Sequence, residues 1–415
     1  MRVVVVGAGV IGLWCGRDLA AAGVDVVVVG PADRPAMSTP ASAGWVVPVL
    51  SHPLSGPGLV ADSVRQALRR EAAFSFRGMS PSLARWMWQF VRSGTQAGFD
   101  DGLAATLALA GSCLEDYRAL HDEGLDVELH QDGLLIVART PDGLAKGQHL
   151  VDISARAGYD GKCESLDASA AVALEPALAA GLSGAVHTRD ELHVHPGRLV
   201  AALRDAVQDK GVAVVDAPVS RIDAAAGGRW SVVTPGDRIT ADKVVLAAGY
   251  WSGELARSLG VRLPLASAAG VSVTATGPLP PGLPLKLVEA NVAVTPFDGG
   301  VRLAGRFILG RPPTSVSSRQ ARRVVDAALP YLRAWQPVEV SSTHVGSRPV
   351  TPDSLPIIGE LPGVRGVLAA TGHGMLGLTL APGTAAEVAH QVTTGGPSPV
   401  ATPFAPDRFA VGGGT

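Results

Sequence analysis

Val3 to Val6 is an unbroken run of β-branched apolar residues, the pattern of a strand buried on both faces. Gly12 to Ala22 then favours helix, Gly23 is placed to end it, and Val24 to Val29 repeats the first pattern. Strand, turn, helix, turn, strand is a βαβ unit, which predicts a parallel sheet. From about Ser51 to Arg139 the rhythm changes. "SVRQALRREAAF", "SLARWMWQFV" and "GLAATLALAGSCLEDYRALHDEG" carry apolar residues at helical spacing. "GLLIVA" closes that region as a short strand, and "HPGRLVAALRDAVQDKGVAVV" reads as helix then strand with Gly211 between them. "ITADKVVLAAG" is a strand that runs into a small-residue turn.

From Leu263 to Ser341 the period becomes two, in "VSVTATG", "NVAVTPFDGGVRLAG" and "VEVSSTHVG", which predicts antiparallel strands covered on one face. "GVLAATGHGMLGLTLAPGTAAEVAHQV" returns to strand, glycine-rich turn and helix. The fold class expected is α/β, α+β overall, with a Rossmann-type domain built from non-contiguous segments 1–50, 145–262 and 342–395. Segments 51–144 and 263–341 form an inserted mixed and antiparallel-sheet substrate domain, and 396–415 is expected to be an extended tail.

A length of 415 residues fits two domains, and 47% apolar against 17% charged residues suffices for a large core. The formal net charge of -2 gives no general attraction to nucleic acid, and membrane contact is expected to be peripheral at most. Cys15, Cys113 and Cys163 show neither metal-ligand spacing nor a disulfide framework, as suits a reducing cytoplasm. The apolar region Val3 to Val29 is broken by Arg17, Asp18 and Asp25, and its start already belongs to a strand, so neither a membrane span nor a removed leader is expected.

Gly7, Gly9 and Gly12 spell G-x-G-x-x-G between strand and helix, the context that a dinucleotide fingerprint requires. Gly7 permits the tight turn, Gly9 lets backbone approach a pyrophosphate, and Gly12 permits close packing. Val10 and Ile11, between these glycines, are further candidates, since the N-terminus of the helix that follows offers free N–H groups to the phosphates. The second strand should end in an acidic residue for the ribose, yet Gly30 stands there. Asp33 is a candidate substitute, and a carboxylate restored at position 30 is expected to tighten adenosine binding. A small residue followed by Arg34 would also suit a 2′-phosphate, so the fingerprint leaves FAD and NADP both open.

The chain resembles the D-amino-acid dehydrogenase and glycine oxidase branch of the D-amino-acid-oxidase-like flavoproteins nearly end to end. Besides the fingerprint, the likeness is carried by "ASAGWVVP" (Ala41–Pro48), "VLAAGYWSGELARSLGV" (Val245–Val261), "GSRPVTPDSLPIIG" (Gly346–Gly359), "ATGHGMLGLTLAPGTA" (Ala370–Ala385) and "PFAPDRF". This resemblance implies noncovalent FAD held also by Ser42, Ala43, Gly44, Trp45, Val46, Val219, Ala248, Gly249 and Trp251. It adds the turn of Gly372, His373, Gly374, Met375, Leu376 and Gly377. Small residues let loops lie against a cofactor, and a helix N-terminus near Leu376 would stabilise a negatively charged reduced ring.

The resemblance further implies oxidation of a small D-amino acid, glycine-like or cyclic imino-acid substrate to an imine, by hydride transfer to flavin N5. Oxygen or a quinone would reoxidise the flavin, and a homo-oligomer is compatible with this family. Such a substrate needs a fixed cation for its carboxylate, a role for which Arg348 matches the family position and Arg306 is the second candidate. His344, His52 and Tyr250 are further candidates for the pocket wall. "ELHVH" could align Glu191, His193 and His195 on one strand face, but the chemistry needs no metal and none is expected. An NADP-dependent reductase and a non-catalytic flavin-fold subunit are the competing readings.

Overall fold

The protein, seen here as a computed structural model, is described over residues 1–56 and 74–409. The valine run forms β1 (Arg2–Val6), followed by helix α1 (Val10–Ala21) and β2 (Asp25–Val29). Val3 to Val6 are all but excluded from solvent, because layers cover both faces of their sheet. That sheet has six strands in the order Ile357–Glu360, Val367–Thr371, Lys243–Leu246, β1, β2, Ala213–Val215. All neighbours are parallel except Ile357–Glu360, which runs against Val367–Thr371. On one face α1 packs with Pro196–Asp209 and Gly377–Thr394 through Leu13, Trp14, Leu199, Leu203, Leu380 and Val388. The opposite face carries a three-stranded sheet, Arg221–Ala224, Trp230–Val233 and Arg238–Ala241.

A second sheet of nine strands has at one end three long antiparallel strands, Glu339–Val350, Ala266–Thr276 and Gly300–Gly310 in that order. Its alternation is the expected period two. Val271, Ala275, Val301 and Leu303 face helix Ser318–Ala328, burying Val324 and Ala328. Ser272, Thr274, Thr295 and Arg302 fill alternate positions on the opposite face, and all are buried.

Three sequence-based boundaries change. Strands Cys163–Leu166 and Gly184–Thr188 continue the nine-stranded sheet by antiparallel pairing beside Leu134–Ala138, so the stretch after 145 does not all join the nucleotide-binding sheet. A break at 342 would cut Glu339–Val350, which pairs with Ala266–Thr276 along its length. The tail is not extended over its described part: Pro399–Phe404 and Pro406–Phe409 are 3-10 turns that bury Phe404. Helices Pro81–Ser93, Gln96–Ala110 and Cys113–Asp122 stand where helical spacing places them. The segment "SVRQALRREAAF" lies, but for its last residue, outside the described residues. Among the described residues no helix is long and apolar enough to cross a membrane.

Candidate cofactor and substrate site

The fingerprint glycines divide into two that are packed and one that is open. A Cβ on Gly7 (φ 125°) would strike the Ala247 carbonyl, and one on Gly12 would strike the Gly7 carbonyl. Only that closeness lets α1 start directly above β1 and the end of Lys243–Leu246. Gly9 faces space, with Thr39 Oγ1 the nearest atom to a Cβ at 3.5 Å. Gly9 caps α1 without a side-chain bond and no acidic residue occupies the first turn, so Ile11 and Gly12 keep unused N–H donors. Val10 N–H reaches only Thr39 Oγ1, at 3.4 Å. Unpaired donors at the positive end of a helix beside a bare glycine fit a pyrophosphate.

At the ribose end the expectation for position 30 fails on space. A Cβ on Gly30 would lie 2.6 Å from Ala8 N, so the glycine lets the first turn close and a carboxylate side chain has no room without backbone movement. Asp33 is exposed. The carboxylate that organises this loop is Asp216, which sequence reasoning missed. Pairing of Val29 with Val215 sets Asp216 beside Gly30, and its Oδ1 accepts the Ala32 N–H at 2.8 Å. Arg34 is stacked 4.1 Å above the Trp251 ring. Val219, like Val27, Val215 and Ala248, packs against the apolar cluster under this edge.

Three connecting segments converge on the polar face of the nine-stranded sheet. In the loop Ala41–Val46, Gly44 (φ 85°) lies against the Val194 carbonyl, Val46 is buried, and Trp45 Nε1–H donates to Thr295 Oγ1 at 2.9 Å. The turn after Lys243–Leu246 holds Ala248 and Gly249 (φ 56°). The Gly249 carbonyl accepts from Thr371 Oγ1–H at 2.8 Å, and Gly249–Trp251 packs on Glu339–Val350. Tyr250 meets the Trp251 ring edge-on, 6.4 Å away.

The third segment is Gly372–Gly377. Gly372 (φ 83°) presses on Thr351, and Gly374 N–H donates to the Pro349 carbonyl at 2.8 Å, tying the turn to the residue after Arg348. His373 is buried against Thr384 Oγ1 at 2.9 Å, and burial lowers its pKa to about 3, so it is neutral. Met375 is exposed, and the helix beginning at Gly377 has Leu376 at its N-cap with no side-chain cap.

Arg348 is partly buried and has no carboxylate within 4.0 Å among the described residues. Its Nη1–H donates to the Arg306 carbonyl at 3.1 Å. The guanidinium lies over Gly270, where any Cβ would collide with it. Burial lowers its pKa to about 10, which still leaves it charged at neutral pH. Asp353, five residues on, is paired instead with Arg408, at 2.8 and 3.3 Å.

Arg306 sits at a bulge with φ 69° and brings its carbonyl to Arg348, while burial and Arg323 both depress its side-chain pKa. His344 faces Ser272 across the strands, four residues before Arg348 on the same sheet face. Its Nδ1 is buried without a partner, and burial followed by Arg302 lowers its pKa. His52 is corrected to a packing residue. It stacks on Phe99, its Nε2 lies 2.9 Å from the Leu150 carbonyl and 3.0 Å from Ser154 Oγ, and burial lowers its pKa to about 4.

"ELHVH" does not converge as a triad. Glu191 turns to Tyr159 (2.7 Å) and the Val49 N–H (3.2 Å), and His195 caps helix Pro196–Asp209. His193 instead stacks on His130 with centroids 4.5 Å apart and planes 3° from parallel, near Asp132.

A dinucleotide turn and an open helix N-terminus beside a second, roofing sheet fit a redox enzyme that works with a dinucleotide cofactor. The FAD dependent oxidoreductase family matches residues 2–391, and the chain belongs to that family. Its cofactor is therefore FAD, which fits the bare Gly9, the free α1 donors and the buried, unpartnered Ser42 Oγ. Relatives include the D-amino acid dehydrogenase of Rhodopseudomonas palustris (strain HaA2), 30% identical over 429 residues with 99% of each chain covered. That of Vibrio vulnificus (strain YJ016) is 28% identical over 410 residues, covering 95% of this chain and 96% of the relative. In fold the chain is similar to glycine oxidase from Geobacillus kaustophilus (TM-score 0.75, 23% identity, 98% and 99% covered). Iminodiacetate oxidase from Chelativorans sp. BNC1 gives a TM-score of 0.71 at 22% identity, with 98% and 99% covered.

Proposed function

We propose that this enzyme oxidises the carbon–nitrogen bond of a small amino acid to an imine, with Arg348 as the clamp for the substrate carboxylate. The carrying observation is a desolvated guanidinium without a carboxylate partner among the described residues, seated over a side-chain-free Gly270 and oriented by the Arg306 carbonyl. A buried charge that lacks a counterion is costly unless a ligand supplies one, and a planar fork suits a carboxylate. The names of the relatives support an amino-acid substrate. FAD supplies the two-electron acceptor. The protein's part is to hold the substrate α-carbon in register, through Arg348 on one side and the turns Gly249–Trp251 and Gly372–Gly377 on the other. With the amine bound neutral, the chemistry requires no dedicated acid or base. The reading includes noncovalent FAD: Cys15 and Cys113 are buried in the helix layer and Cys163 lies on a far edge strand.

The test is Arg348→Ala and Arg348→Lys, assayed with amino acids and with an amine lacking the carboxylate. Losing one partner of a buried charged pair costs about 2–5 kcal/mol, so Arg348→Ala should lower kcat/KM for amino acids by orders of magnitude with the flavin spectrum intact. Lysine should recover part of it, and the amine should be a poor substrate for both proteins. Normal turnover by Arg348→Ala would place the clamp elsewhere. Anaerobic bleaching by D- and L-amino acids, then reoxidation by oxygen or a quinone, assigns stereochemistry and acceptor.

A further inference from the structure

A second arginine lies on the sheet face that carries His344. Arg302 is 3% exposed and, like Arg348, lacks a carboxylate within 4.0 Å among the described residues. Its bonds run to neutral oxygens: Nε–H to Thr274 Oγ1 at 3.2 Å, and Nη1–H to the carbonyls of Pro40 at 3.1 Å and Ser42 at 3.2 Å. Burial lowers its pKa to about 10, and it remains a cation. The two carbonyls belong to the small-residue loop that joins the nucleotide-binding half to the substrate sheet.

A trans peptide fixes its N–H opposite its C=O. With the Ser42 carbonyl turned to Arg302, the Ala43 N–H points away from the sheet-borne cation, and it makes no hydrogen bond within the described residues. The two donors before it behave differently: Ala41 N–H donates to Ser38 O at 3.2 Å and Ser42 N–H to Thr39 O at 3.1 Å. Ser42 Oγ, Ser272 Oγ and His344 Nδ1 are buried atoms without a partner among the described residues. Buried polar groups are almost always satisfied, so this concentration marks a place completed by a ligand.

We propose that Arg302 is a positioning residue for FAD: it locks the Ser42–Ala43 peptide so that the Ala43 N–H is presented to the cofactor, and it adds a fixed positive charge behind that loop. Neither role involves the amino-acid substrate. The inference thus rests on the family's cofactor and not on the carboxylate clamp, and its measurements are made without substrate.

The experiment compares wild type with Arg302→Met and Arg302→Lys. FAD is titrated into each apoprotein, and the visible spectrum and midpoint potential of each holoprotein are recorded. Arg302→Met should weaken FAD about tenfold or more, the worth of one or two hydrogen bonds, with a lower potential and a shifted flavin band. Arg302→Lys should restore the potential better than the affinity, because an ammonium keeps the charge without bridging both carbonyls in a planar fork. Wild-type affinity, spectrum and potential in Arg302→Met would overturn the proposal. If Arg302→Met does not fold, Arg302→Lys decides alone, and wild-type FAD affinity there would equally overturn it.

Discussion

Arg408, from the last described turn of the chain, takes the carboxylate of Asp353, five residues beyond Arg348. Its remaining donors hold the carbonyls of Phe404, Ala405, Leu355 and Pro356. The Asp353 carboxylate is thereby committed to Arg408. Arg408→Ala should lower stability by about 2–4 kcal/mol, below the full cost of breaking a buried pair because both side chains keep some exposure. It should also raise KM for amino acids, as the freed Asp353 competes for Arg348. Thermal melts and initial rates check both, and an unchanged KM would show that Asp353 is never in reach.

Gly270 is required by its neighbour across the sheet. An alanine Cβ would lie 2.5 Å from Cζ of Arg348, so the guanidinium must move. Displacement of a positioning group by an ångström can cost about a hundredfold. Gly270→Ala should therefore depress kcat/KM for amino acids by one to two orders of magnitude, with FAD binding intact. Kinetics alongside a flavin spectrum separate the two effects.

Position 30 gives the opposite outcome from the one its sequence context invites. Because a Cβ there meets Ala8 N at 2.6 Å, Gly30→Glu should loosen FAD instead of tightening it. Overpacking costs about 1–3 kcal/mol, which corresponds to a clear rise in flavin lost on dialysis. Asp216→Asn should weaken FAD less, since an amide oxygen still accepts the Ala32 N–H.

Glu191 makes stability depend on pH. Burial raises its pKa from 4.5 to about 8, an effect only partly offset by hydrogen bonds from Tyr159 and the Val49 N–H. A folded-state pKa above the unfolded value means that the native carboxyl stays protonated while the unfolded one ionises. This contribution is complete below pH 4.5 and is lost as pH rises through about 8. Glu191→Gln should flatten that decline and raise Tm by several degrees at pH 8 relative to wild type, with little gain at pH 4.5. Melts across this range provide the check.

The nucleotide-binding turn was legible because its physics is local: Gly7, Gly9 and Gly12 carry their reasons within one strand and one helix. The same holds for the turn at Gly372–Gly377, where a glycine-rich break precedes a helix. Arg302 was harder to find. Period two in "GVRLAG" already separates it from Val301 and Leu303, but its partners Thr274, Pro40 and Ser42 come from distant parts of the chain. Gly270 and Asp216 were invisible for the same reason, since each acts through a residue brought alongside by sheet pairing. His52 misled by its closeness in sequence to the flavin loop, when the helix Pro141–Arg156 had the stronger claim on it.

Helix α1 buries Trp14 and Leu19 together with Leu380, Ala381 and Val388 of helix Gly377–Thr394, so the two ends of the chain share one apolar layer. During synthesis the first βαβ unit must wait, at about 5–20 residues per second, for several tens of seconds before the helix that covers it leaves the ribosome. Over that interval its valine strand and the face of α1 are open to chaperones and to other nascent chains. Yield in cells should therefore respond to translation speed and chaperone supply more than to the stability of the finished enzyme.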